Sequence, residues 1–162
     1  MTLQFPDRHH LRAATGWLEL GNPSEANKEL EKINSEARAF PDVLEVRWQI
    51  HAQTNKWEKC VEVASEITKS APNAAFGWVH LSFALHELRR TQQAHENLIG
   101  VLEQFPDDWL MRYNLACYSC QLGNLEEATR WLAGAALKGN AKQIKRMAKD
   151  DPDLAPLFEL AK

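Results

Sequence analysis

Cys117 and Cys120 form a C-x-x-C. That spacing serves thiol–disulfide exchange or metal binding wherever the thiolates are stabilised, and His80 and His86 would add imidazoles to a mixed Cys/His site. The surroundings argue for packing instead. Both cysteines fall in the middle of a helical run, whereas redox pairs sit at a helix N-terminus, where the dipole depresses the thiol pKa. No second C-x-x-C and no H-x-x-x-H accompanies them. Cysteine then acts as a small apolar residue, and the expectation is no metal and no cofactor. The other histidines, His9, His10, His51 and His95, join no Ser/His/Asp or Cys/His motif, and the chain has no glycine-rich phosphate loop. His51 and His95 read as helix-surface or inter-helix residues. No enzymatic activity is expected.

Lys142, Lys145, Arg146 and Lys149 lie at the i, i+3, i+4, i+7 spacing of one helical face. An anionic backbone or membrane surface would use such a stripe. Asp150, Asp151 and Asp153 follow at once, and the chain's net charge is -3 with a pI near 6.1. The stripe therefore reads as a solvated face, with neither nucleic acid nor membrane as partner. No apolar run approaches the roughly 18 residues that span a bilayer. The first residues, MTLQFPDRHHLRAATGW, lack the apolar stretch of a secretory signal, and three cysteines are an odd number for a disulfide framework. Reduced thiols and a cytoplasmic location are expected by elimination.

What must position these residues is a repeat. Ala26, Cys60, Ala94 and Ala128 are each 34 residues apart. Leu30, Ala64, Leu98 and Leu132 follow four residues on, then Ile33, Ile67, Val101 and Ala135, the i, i+4, i+7 stripe of a buried helix face. Five residues before each small anchor lie Gly21, Asn55, Arg89 and Gly123, where a turn between two helices belongs. A small side chain at the anchor lets two helices approach closely, and a leucine there would overpack the crossing by about 1–3 kcal/mol. The spacing predicts helices over about 9–20, 43–54, 57–69, 75–88, 91–104, 109–122 and 125–138. Another runs from Pro23 to Phe40, stopped by Pro41, with Ser24 as its cap. Alternation over a strand length is absent, so no sheet is expected. Phe-Pro-Asp recurs at Phe5, Phe40 and Phe105 as a buried ring, a helix-ending proline and a capping aspartate. After Asn140 comes a capping helix with Ile144 and Met147 inward. An Asp-Pro-Asp turn and an apolar tail (Leu154, Leu157, Phe158, Leu160) then fold back on the stack.

A 34-residue helix-turn-helix with small residues at the crossing and a closing proline resembles the tetratricopeptide repeat (TPR). Trp78, Leu81, Ala94, Leu98 and Pro106 match the family's positions, and the stretch from Tyr113 to Ala128, with Leu122-Gly123-Asn124, matches it well. The first unit keeps Ala14, Trp17, Gly21 and Ala26; the second departs, with Arg47 and Trp48 where a leucine and a small residue are usual. The resemblance implies an all-α, right-handed superhelical solenoid of antiparallel helix pairs (TPR-like). It would be one array over 1–162, with repeats at about 8–41, 42–74, 75–108 and 109–140 and a capping helix and tail over 141–162. Trp17 and Trp78 would fill aromatic core slots, Trp57 and Trp131 would pack between helices, and Trp109 would stay partly exposed.

The same resemblance implies a non-enzymatic scaffold that binds a protein or peptide in the concave groove lined by the first helix of each pair. By analogy the groove positions are Leu11 and Thr15; Gln49 and Gln53; Val79, Phe83, His86 and Glu87; and Tyr113, Asn114, Cys117, Cys120 and Gln121. Aromatic, amide and imidazole groups suit an extended or helical peptide. One TPR subclass grips C-terminal carboxylates with Lys, Arg and Asn; the positions here are not basic, so that specificity is not expected. Alternative readings are a cytoplasmic chaperone for a secreted or assembling protein and a substrate-recognition accessory to a separate enzyme. A monomer and a homodimer are both compatible with the sequence.

Overall fold

Ala26, Cys60, Ala94 and Ala128 are each completely buried in the computed structural model, which describes residues 3–159. So are Leu30, Ala64, Leu98, Ile67 and Ala135, with Ile33 and Val101 nearly so. Leu132 alone in these columns stays half-buried. The four turn residues behave as one set: Gly21 (φ 70°), Asn55 (φ 53°), Arg89 (φ 62°) and Gly123 (φ 83°) all adopt the left-handed conformation. Each closes the same pair of backbone hydrogen bonds, as in Asn22 N–H to Trp17 O and Gly21 N–H to Leu18 O. The others pair Lys56 with His51 and Asn55 with Ala52, Arg90 with Leu85 and Arg89 with His86, and Asn124 with Ser119 and Gly123 with Cys120. These are Schellman closures, which satisfy the carbonyls left over at a helix C-terminus.

The described residues form helices and no strand. The chain divides within one helix into two compact units, one ending at Ala84 and the other starting at Leu85. In the first unit lie α1 (Asp7–Glu19), α2 (Pro23–Leu30), α3 (Pro41–Gln53), α4 (Trp57–Ser70) and most of α5 (Ala75–Glu87). α3 is buried on two sides. Val43, Val46 and Ile50 join Ala14, Leu18, Ala26, Leu30 and Ile33, while Leu44 and Trp48 join Cys60, Val63, Ala64, Ile67 and Ala84. A helix sandwiched this way needs apolar residues around most of its circumference, which is why Trp48 replaces the usual small residue without disturbing the stack. α5 comes close to α4 at Gly77: a β-carbon there would meet Ile67 Cγ2 at 2.7 Å.

The second unit holds the end of α5, then α6 (Thr91–Ile99), α7 (Trp109–Gln121), α8 (Leu125–Lys138), α9 (Ala141–Asp150) and α10 (Ala155–Glu159). A short 3-10 turn, Pro152–Leu154, joins the last two. Met111, Leu115, Ala116, Ala128, Ala135, Ile144, Ala148 and Leu154 are buried in its core.

Five expectations are corrected, one of them at the Phe-Pro-Asp motif, where Phe5 is 81% exposed and not a buried ring. The second helix stops at Leu30 instead of running to Phe40. Asn34 turns the chain there: its side chain accepts from Glu36 N–H, Asp7 accepts from Asn34 N–H, and Arg38 donates to the Ile33 and Glu31 carbonyls. Pro41 consequently opens α3 rather than closing α2, where its missing N–H costs nothing. The cap of α2 is Asn22, which accepts from Glu25 N–H, and not Ser24. α6 ends at Ile99, ahead of Gly100, and continues only as a 3-10 turn over Leu102–Gln104. Trp17 is 37% exposed rather than a core residue. Leu160 lies outside the described residues.

Candidate functional site

Tyr113, Cys117 and Gln121 recur every four residues along one face of α7. In the second unit this face carries a segment of the chain itself, Asp151-Pro152-Asp153-Leu154. The Tyr113 hydroxyl donates to Asp151 Oδ2 at 2.8 Å, and the Cys117 thiol lies 3.6 Å from the same oxygen. Asp151 Oδ1 accepts from Asp153 N–H at 3.0 Å, closing an aspartate turn, and Leu154 N–H donates back to the Asp151 carbonyl. His86, at the end of α5, reaches Asp153 Oδ2 through Nε2 at 3.0 Å and Thr91 Oγ1 through Nδ1 at 3.0 Å. The Gln121 amide donates to the Asp153 carbonyl at 2.8 Å. Leu154 is completely buried beneath these polar contacts, while Pro152 stays exposed.

The electrostatics suit binding and disfavour thiol chemistry. Burial, then the neighbouring Asp151 and Asp153 carboxylates, pushes the Cys117 thiol far above its usual range. Burial also raises Cys120, although a hydrogen bond from the Leu157 backbone works the other way. Tyr113 is raised by burial and by its bond to Asp151. Protonated thiols in mid-helix are poor nucleophiles and poor ligands. Among the described residues no cluster of three or more His, Cys, Asp or Glu side chains has the arrangement of a metal site. His86 sits against Tyr118, with ring centroids 5.0 Å apart, which fixes the imidazole on the segment.

The first unit presents a different surface. Phe83 on α5, 37% exposed, stands edge-on to Trp57 (5.8 Å) and Trp48 (6.2 Å). His80 stacks on Trp48 at 4.1 Å and lies edge-on to Phe76 at 6.0 Å. Burial lowers the His80 pKa to about 4, so the ring is neutral near pH 7. Its Nε2, like Trp48 Nε1, is buried with no hydrogen-bond partner among the described residues.

Of the remaining sequence-derived positions, Val79 is buried and Gln49 half-buried, while Gln53 donates to the Leu18 carbonyl at 3.2 Å. Glu87 is exposed and Asn114 half-buried. Sequence reasoning foresaw an Asp-Pro-Asp turn and a returning tail, and it foresaw Tyr113, Cys117, His86 and Gln121 on one kind of surface. It did not connect the two. The signal available was the pairing of two carboxylates, two residues apart, with a following leucine. The Trp48–His80 stack was missed as well.

No described helix is long and apolar enough to cross a membrane. No family model and no curated protein sequence matches the chain. Solved structures do. The chain is similar to MamA from Desulfovibrio magneticus RS-1 (residues 41 to the end), with 17% identity over 98% of this chain and 92% of that one and a TM-score of 0.72. A MamA structure labelled MSR-1 matches with 20% identity over 85% of this chain and 79% of that one, at a TM-score of 0.68. At such identities the likeness speaks for the fold, which is all-α and of the TPR-like helical-repeat kind found in MamA.

Proposed function

We propose that this chain is a non-enzymatic scaffold that binds a protein or peptide on the faces of its first-of-pair helices. The observation that carries this reading is Phe83, a partly exposed ring packed edge-on against Trp57 and Trp48. A large aromatic on a pre-ordered aromatic bed is the kind of anchor that dominates binding energy, because little side-chain entropy is lost when a partner covers it. Gln49, Gln53 and Val79 belong to the same proposed surface in the first unit. In the second unit His86, Glu87, Tyr113, Asn114, Cys117 and Gln121 form its counterpart. The segment at Asp151–Leu154 supports the reading, since four of these side chains, His86, Tyr113, Cys117 and Gln121, already contact it through polar atoms and its Leu154 is buried.

Affinity capture from native lysate tests it, with wild type beside Phe83→Glu. Tyr113 is left intact because it is buried against Asp151. A control reverses Lys142, Lys145, Arg146 and Lys149 on α9, and circular dichroism verifies that every variant is folded. A specific partner should be lost with Phe83→Glu and kept in the control. Loss in the control alone would move the binding surface to α9 and end the present reading.

A further inference from the structure

We propose that the α7 face of the second unit is a recognition site for an acidic turn of the form Asp-x-Asp-Leu, occupied in cis by the chain's own Asp151-Pro152-Asp153-Leu154. The inference rests on the binding role proposed above and adds the chemistry of the partner and the means of its control.

The site reads each element of the motif separately. Tyr113 and Cys117 converge on one oxygen of the first carboxylate, at 2.8 and 3.6 Å. His86 takes the second carboxylate at 3.0 Å, and Gln121 takes the backbone carbonyl of that same residue at 2.8 Å. The leucine is removed completely from solvent. Thr91, on the far nitrogen of His86, fixes the ring's orientation. Pro152 is exposed, and its part is conformational, since a fixed φ favours the turn that Asp151 closes on the amide of Asp153. A short peptide of the same sequence is therefore biased toward the bound shape before it binds. These are features of ligand recognition: two charges, a backbone carbonyl and one apolar anchor, met by side chains from two helices.

Tethering sets the regulation. A segment joined to the site by its own chain is present at an effective concentration in the millimolar range. A partner's Asp-x-Asp-Leu segment competes poorly until the chain's own copy is released.

The test uses the full chain. A fluorescent peptide spanning residues 149–156 (KDDPDLAP) is titrated by anisotropy into wild type and into the double variant Asp151→Ala/Asp153→Ala. The folded state of each is checked by circular dichroism. The double variant should bind at least tenfold more tightly than wild type. Adding His86→Ala, or changing both peptide aspartates to asparagine, should cost at least tenfold. Should the double variant not fold, Asp153→Asn keeps the shape of the segment, removes its second charge, and should still bind more tightly than wild type. A folded variant with no gain in affinity would overturn the proposal and leave the segment as a structural cap. So would a wild-type dimer that becomes monomeric when the two aspartates are replaced, because the segment would then belong to a second copy. A failed peptide titration beside a partner still lost with Phe83→Glu would remove this inference and leave the scaffold standing; the reverse pair of results would do the opposite.

Discussion

His80 couples the aromatic surface of the first unit to pH. Its native pKa, lowered by burial to about 4, lies below the ordinary value near 6.5. Between those two values the unfolded chain binds a proton that the native chain does not, so stability falls as the pH falls through that window. The slope from this group is at most about 1.4 kcal/mol per pH unit. His51, also lowered mainly by burial, acts in the same direction. His80→Phe keeps a ring against Trp48 and should flatten the decline between pH 6.5 and 4. Urea unfolding of wild type and variant across that range is the measurement, and equal slopes would contradict the assignment. The cysteines give the complementary residue-scale lesson. All three thiols are buried; Cys117 faces the Asp151 carboxylate, whereas Cys60 is pushed up to about 11 by burial while filling the helix crossing that alanine fills elsewhere.

The turn between paired helices is the element that recurs most faithfully. Four positions 34 residues apart share positive φ and the same two hydrogen bonds, yet two are glycine, one asparagine and one arginine. The backbone geometry is demanded by the helix pair, and the side chain merely tolerates it. Left-handed backbone costs a residue with a β-carbon roughly 1 kcal/mol, partly offset by its stiffer unfolded chain. Arg89→Gly should therefore raise stability by up to about 1 kcal/mol, and Gly123→Ala should lower it by about 1 kcal/mol, as read from urea midpoints. A change of the same sign in both would mean that side-chain contacts, not φ, decide the position. α2 shows the opposite situation. Its periodic stripe continues through Ile33, but Asn34 offers the backbone a local hydrogen bond that competes with helix, and Arg38 and Asp7 hold the resulting turn. Ile33 stays buried without being helical.

At the scale of the whole chain, the returning C-terminal segment is part of the second unit's core as well as an occupant of its surface. Leu154 is fully buried, so Leu154→Ala should cost about 2–5 kcal/mol in equilibrium unfolding. A cost below 0.5 kcal/mol, which is ordinary for an exposed site, would show that the segment is not docked as described. The MamA structures share the fold at 17% and 20% identity, which fits a repeat whose constraints are few and periodic.

The sequence by itself determined which segments are helical, the 34-residue period, the buried anchors and the turn positions, while it overran the ends of α2 and α6. Those features depend on interactions within a helix or between neighbours in the chain, where local spacing is enough. It also pointed to Tyr113, Cys117, His86 and Gln121 as one class of surface. Only the tertiary structure decided what that surface touches. The bonds from Tyr113 to Asp151 and from His86 to Asp153 join residues 38 and 67 apart, and no periodicity carries information over that separation. The stack of His80 on Trp48 is of the same kind: two helices set the rings parallel, and burial then sets the histidine's charge.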